Sequence, residues 1–138
     1  MRGVVAAALS AAGFLAPMLT APAAAADPAP PAPRYVDHVE WAKWGDLSTL
    51  RVYPTPAGRQ ASGMASPAQG EAAWTQVLAL APEADIPGMK PQFTCHWEFA
   101  ELYSPGKTSW NLEPWRPLVS YDTMVQTGCN PGGTEEPF

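Results

Sequence analysis

Histidine, cysteine and positive charge are all scarce in this 138-residue chain: two His, two Cys, and eight Lys and Arg against thirteen Asp and Glu. The acidic balance excludes a nucleic-acid binder, which needs clustered Lys and Arg to displace counterions from phosphates. No basic amphipathic stretch is present for an anionic membrane surface. There is no G-x-S-x-G elbow and no Ser set beside a His, so nucleophilic catalysis has no local support. No nucleotide-binding, cofactor or metal-binding motif and no internal repeat is found. Beyond Leu19 no apolar run approaches the roughly 20 residues that a membrane helix needs.

What is present begins with Arg2, followed by an uncharged stretch from Gly3 to Leu19 rich in Ala, Val, Leu and Phe, then Ala24-Ala25-Ala26 and Asp27. A basic start, an apolar stretch and small residues two apart are the layout of a secretory signal peptide, with cleavage after Ala26. An uncleaved anchor is the competing reading, opposed by the Ala-rich composition and by Pro17. Residues 1–26 are therefore expected to be removed, leaving a secreted or envelope-located product without a stable membrane anchor. Arg2 leaves with the leader, so seven basic side chains face thirteen acidic ones in the 112 residues that remain. That length suits one compact domain.

Cys95 and Cys129 are an even pair in the exported part and read as a disulfide; the alternative is two separate buried thiols. Closing a loop of about 35 residues stabilises a fold by roughly 3–4 kcal/mol on the chain-entropy model.

Residues 27–34 are Pro/Ala-rich and are expected to form an extended, flexible arm. A globular domain spans 35–130 and an acidic tail 131–138. Alternation from Tyr35 to Trp41, turn chemistry at Trp44-Gly45-Asp46 and an apolar run from Leu47 to Tyr53 predict a hairpin. Residues 54–65 read as a Pro/Gly/Ser loop. Ser66 with Pro67 and Gln69 resembles an N-cap and capping box, and Trp74, Val77, Leu78 and Ala81 then give one apolar stripe on a helix ending before Pro82. From Gln92 to Leu102, Phe93, Cys95, Trp97 and Phe99 alternate with polar residues, which predicts a strand. Leu118 to Tyr121 reads as a short last strand, with Asp122 capping a turn of helix that ends at Gly128. The expectation is an α+β fold: a small antiparallel sheet with one packed helix and one disulfide.

On a strand at Gln92–Leu102, His96 and Glu98 would share a face about 7 Å apart. They are then candidates to hold a metal or polarise a water in a small hydrolase, against the plainer reading of a solvated strand face. His38 would complete a three-ligand zinc set, but no spacing brings it near. Carboxylate pairs drawn from Glu98, Glu101, Glu113 and Asp122 carry almost no signal in so acidic a domain. Six Trp are unusual for this size. Trp41, Trp74 and Trp97 fall at core positions. Trp44, Trp110 and Trp115 lie in turn-like surroundings, where an indole covers a core edge or offers a flat face to a sugar or peptide. Arg116 either stacks on Trp115 or pairs with Glu113 or the acidic tail.

Four strings, W-x-x-W-G (Trp41, Trp44, Gly45), P-Q-F-T-C-H (Pro91–His96), W-N-L-E-P-W-R-P (Trp110–Pro117) and G-C-N-P-G-G-T-E-E-P-F (Gly128–Phe138), resemble a family of exported proteins of mycobacteria and related actinobacteria, domain of unknown function 2599. The resemblance covers nearly all of the exported domain. It implies an actinobacterial origin, export and a Cys95–Cys129 disulfide, and brings no reaction with it. The functional expectation is a non-catalytic binding module of the cell envelope or extracellular space, using Trp44, Trp110, Trp115 and Arg116 against a protein, peptide or glycan partner. The alternatives are an envelope hydrolase built on His96 and Glu98, and a secreted inhibitor or effector presenting the 54–65 loop.

Overall fold

The computed structural model describes residues 17–64 and 66–133, together with Gly3 and Gly13. The expected leader lies largely outside the described residues, as do residues 134–138 of the expected tail. Residues 17–34 are exposed and carry neither helix nor strand. No described helix is long and apolar enough to cross a membrane.

Strands β1 (Val36–Trp44) and β2 (Leu47–Pro54) form the expected hairpin. Trp44 pairs with Leu47, so Gly45 and Asp46 alone make the turn, and Gly45 takes a φ of 58° that glycine adopts without steric cost. Strand β3 (Trp110–Leu112) joins the other edge of β2, giving a three-stranded antiparallel sheet in the order β1-β2-β3. Leu50 and Val52 pair with Leu112 and Trp110, and all four side chains are fully buried.

Among the described residues four helices accompany this sheet, where one packed helix and a single helical turn were expected. The Pro/Gly/Ser stretch after β2 is mostly helix α1 (Pro56–Gly63), not a loop. Thr55 caps it by accepting a hydrogen bond from the Gly58 amide at 2.9 Å, with Pro56 at the first helical position. Gly58 and Ala61 are buried there, and a Cβ on Gly58 would stand 2.1 Å from the Tyr35 carbonyl oxygen. Small residues make this helix by letting backbones touch, a signal that periodicity of large side chains does not carry.

Helix α2 (Pro67–Leu80) begins at Ser66 and Pro67 as expected, yet the Ser66 hydroxyl makes no capping bond. The Ser66 carbonyl instead accepts the Trp97 indole N–H at 3.2 Å. Midway along α2, Gln76 clamps the start of β1. Its Oε1 accepts from the amides of Tyr35 and Val36 at 2.8 and 3.1 Å, and its Nε2 donates to the Pro33 carbonyl at 2.8 Å.

The segment expected as the clearest strand, Gln92–Leu102, is instead the heart of helix α3 (Met89–Tyr103). Its buried residues Gln92, Phe93, His96, Trp97 and Ala100 recur at helical spacing. The alternation of Phe93, Cys95, Trp97 and Phe99 arises because α3 is packed on two sides, and a helix buried on two sides loses its polar stripe. Phe93 and Trp97 enter the main core, where the Phe93, Trp97 and Trp110 ring centroids lie 6.1–6.3 Å apart and Trp74 stands 5.4 Å from Phe93. Cys95 faces a second cluster with Met124 and Cys129, flanked by Phe99, Val119 and Val125.

Leu118–Ser120 forms no strand; Ser120, not Asp122, caps helix α4 (Tyr121–Gln126) by accepting from the Thr123 amide at 3.2 Å. Cys129 then bonds Cys95, with an S–S distance of 2.02 Å and Cα atoms 5.6 Å apart. The α+β class and the disulfide are as expected.

A candidate binding cleft between two crosslinked helices

The helical form of α3 rearranges the candidate acid–base pair. Two residues apart on a helix are about 200° apart around its axis, so His96 and Glu98 share no face. His96 is buried, and its Nδ1 donates to the Gln92 carbonyl at 2.8 Å. Glu98 accepts a hydrogen bond from the Tyr121 hydroxyl, tying α4 to α3. Burial, and after it that bond to a carboxylate, push the Tyr121 phenol above its ordinary range. His38 stands on β1, where its ring stacks on Tyr53 at 4.1 Å and its Nδ1 bonds Asp37 at 2.7 Å. Among the described residues no group of three or more His, Cys, Asp and Glu side chains is placed to hold a metal ion.

The three indoles assigned to turns part company as well. Trp110 is completely buried in the aromatic core and offers no surface. Trp115 is half-buried, with the Arg116 guanidinium 4.5 Å over its ring. Only Trp44, at the hairpin tip, is mostly exposed, at 54%. Arg116 is buried and does several jobs together: its Nε pairs with the fully buried Glu113 carboxylate, and its Nη1 donates to the carbonyls of Pro131 and Gly133 at 3.1 and 2.9 Å. The distinctive E-P-W-R string is therefore a clasp on the C-terminal segment.

What α3 does bring together is a cleft of about 170 Å³ that the disulfide borders. His96, Phe99, Ala100 and Tyr103 line one side, one turn and two turns apart along α3. Val125 of α4, Cys129 and Asn130 just beyond it, and Lys107 after α3 complete the lining. Phe99 and Tyr103 stack obliquely at 6.1 Å, and Tyr103 is 77% exposed. Asn130 donates to the Gly128 carbonyl at 2.9 Å, while its buried Oδ1 has no hydrogen-bond partner among the described residues. Of the residues singled out by sequence, only His96 and Cys129 reach this cleft. Phe99, Tyr103 and Asn130 were missed, and reading 96–103 at a spacing of 3.6 rather than 2 would have found the first two.

The family model described as protein of unknown function DUF2599 matches residues 36–132, from the first residue of β1 through the clasped segment. This chain belongs to the DUF2599 family. Its relatives include uncharacterized proteins of Mycobacterium tuberculosis (Rv0477) and Mycobacterium bovis (Mb0487), each 58% identical over 95 residues, covering 69% of this chain and 64% of theirs. An uncharacterized protein of Mycobacterium leprae (ML2452) is 44% identical over 92 residues, 67% of this chain and 75% of its own. The chain thus spans somewhat less than two thirds of the length of the first of these DUF2599 relatives. No solved structure matches it.

Proposed function

We propose that this DUF2599 chain is an exported, non-catalytic binding domain of the cell envelope or extracellular space, and that the α3–α4 cleft takes an anchoring side chain of a protein or peptide partner. The observation that carries the reading is the cleft's size and lining. A volume of about 170 Å³ is below the several hundred Å³ of ordinary small-molecule pockets and close to the roughly 150 Å³ that accommodates one benzene ring. One aromatic or aliphatic side chain fits that space, and such anchors dominate the energetics of protein interfaces. Tyr103 and Phe99 at the rim supply apolar contact with little rotamer entropy to lose. The separation of His96 from Glu98 speaks against the hydrolase reading. Burial of Gly58 and Ala61 within α1 speaks against a protruding inhibitory loop. Export is supported by the leader-like residues 1–26 and by a disulfide, which persists in oxidising compartments.

The test is selection of displayed peptides on the full secreted protein. Enriched peptides are expected to share an aromatic or large aliphatic residue, and Phe99→Ala and Tyr103→Ala are expected to weaken their binding about tenfold or more without a change of secondary structure. Peptides that bind both variants as well as the parent would overturn the assignment of the cleft. Hydrolysis of envelope material abolished by His96→Ala would overturn the non-catalytic reading. Mass analysis of protein from culture medium is expected to place the N-terminus at Asp27.

A further inference from the structure

Two observations meet at the α3–α4 cleft. The first is charge. In a chain with thirteen Asp and Glu against eight Lys and Arg, none of the described residues lining the cleft is acidic, and Lys107 is one of them. The place of Lys107 is fixed through its backbone: its amide donates to the Ser104 carbonyl at 3.1 Å, and its carbonyl accepts from Arg59 Nη2 at 2.6 Å. Glu101, near the end of α3, is taken up by Arg59 at 2.6 Å.

The second is where the polypeptide leads. Arg116 holds the carbonyls of Pro131 and Gly133, so the segment after the clasp starts three residues from Asn130, which lines the cleft. Three residues span at most about 11 Å, and the next five, Thr134-Glu135-Glu136-Pro137-Phe138, span up to about 17 Å. That segment is long enough to return to Asn130 wherever Gly133 stands. Its composition matches the lining. Phe138 is its one large apolar side chain, for a space of about 170 Å³, and Glu135 and Glu136 are two carboxylates for the neighbourhood of Lys107. Pro137 fixes its own φ and keeps Glu136 extended, so less backbone freedom is lost when the segment is seated.

We propose that residues 134–138 of this same chain are the resident occupant of the cleft, with the Phe138 ring beside Phe99 and Val125 and with Glu135 and Glu136 drawn to Lys107. The inference rests on the reading of the cleft as a seat for one anchoring side chain, and adds that a partner must displace a tethered competitor. A short tether keeps the segment at an effective concentration in the millimolar range, so even a weak self-contact fills the site. The apparent affinity of a partner is then lowered in proportion to the fraction of molecules whose cleft is empty. Pairing between charges at an exposed rim is screened by salt, so the block weakens as ionic strength rises.

The experiment compares the full secreted protein with its Phe138→Ala and Glu135→Gln/Glu136→Gln variants. In NMR spectra of the parent, Overhauser contacts from the Phe138 ring to Phe99, Ala100 or Val125 are expected, and Phe138→Ala is expected to shift the amide resonances of Phe99, Tyr103 and Asn130. Peptides selected on the Phe138→Ala protein are expected to bind it about five- to tenfold more tightly than they bind the parent, the gain from emptying a cleft that is filled about 80–90% of the time. The double glutamine variant is expected to bind them roughly twofold more tightly than the parent, and high salt to narrow the gap between parent and Phe138→Ala. Absence of contacts from the Phe138 ring to the cleft, or equal peptide affinity of parent and Phe138→Ala, would overturn the inference and leave the partner reading standing. Peptides that bind neither protein, with the Phe138 contacts present, would instead remove the partner reading and leave the self-contact in place.

Discussion

Replacing Arg116 by Met is the sharpest probe of how this domain is held together. The Arg116 and Glu113 side chains are both completely inaccessible to solvent, so the substitution takes a positive partner away from a carboxylate in the interior. Losing one partner of such a pair costs about 3–5 kcal/mol, because the remaining charge has no water to return to. The carbonyls of Pro131 and Gly133 lose their donor as well, at about 1 kcal/mol each where water does not replace it. The expected loss of about 5–7 kcal/mol is a large part of the roughly 5–15 kcal/mol that stabilises an ordinary domain. Guanidinium unfolding followed by tryptophan fluorescence measures it, as a fall in midpoint at constant slope. The double variant Glu113→Leu/Arg116→Met is the decisive comparison: it removes the buried negative charge along with the positive one, so it is expected to recover at least about 2 kcal/mol of the single variant's loss. A single variant that loses under about 1 kcal/mol, or a double variant less stable than the single, refutes the reasoning.

Three further outcomes are expected. Cys95→Ala/Cys129→Ala opens a loop with a sequence separation of 34, worth about 4 kcal/mol on the chain-entropy model. Calorimetry should register it as a melting temperature lowered by roughly 20 °C; a shift of only a few degrees would mean that the α3–α4 cluster holds without its crosslink. Gly58→Ala pushes a methyl against the Tyr35 carbonyl and is expected to cost about 2–3 kcal/mol in the same denaturation assay, while parental stability would show that α1 can shift away. Asp37 is held below its ordinary 3.8, first by the His38 hydrogen bond and then by Arg34. A depressed folded value means that this contribution is present above pH 3.8 and fades as pH falls through the folded midpoint. In a carboxyl NMR titration His38→Ala should raise that midpoint, and an unmoved midpoint would deny the bond its role.

Where local chemistry decides, the fold could be read in advance. Gly45-Asp46 between two apolar runs made the hairpin plain, and Ser66-Pro67 ahead of Trp74 and Val77 did the same for α2. Cys95 and Cys129 paired as an even count implies. Legibility failed where tertiary packing overrides the local pattern. In α3, Phe93 and Trp97 serve the main core while Cys95 and Phe99 serve the second cluster, so apolar residues fall at every other position and imitate a strand. Trp110 looked like a turn residue because its neighbours are Ser109, Asn111 and Pro114; only pairing with Val52 in the third strand puts it at the centre of the core. The site misreadings descend from these two errors. His96 and Glu98 come together only on a strand, and Trp110 is a contact surface only in a turn. The clasp was half visible, since Arg116 with Glu113 was among the readings, but nothing in their spacing announces that the guanidinium also gathers Pro131 and Gly133.

The grip of Gln76 on Pro33, Tyr35 and Val36 has a mechanical meaning. Tension applied from the N-terminal side does not reach the free end of β1, where hydrogen bonds would peel apart one at a time. It arrives at the middle of α2, and also at Thr55, whose hydroxyl and amide hold the carbonyls of Arg34 and Tyr35 at 2.6 and 2.9 Å. Load entering there pulls on a helix seated against the aromatic core and must shear several bonds at once. The grip on the polypeptide therefore starts at Pro33, and a pull delivered there meets the whole domain.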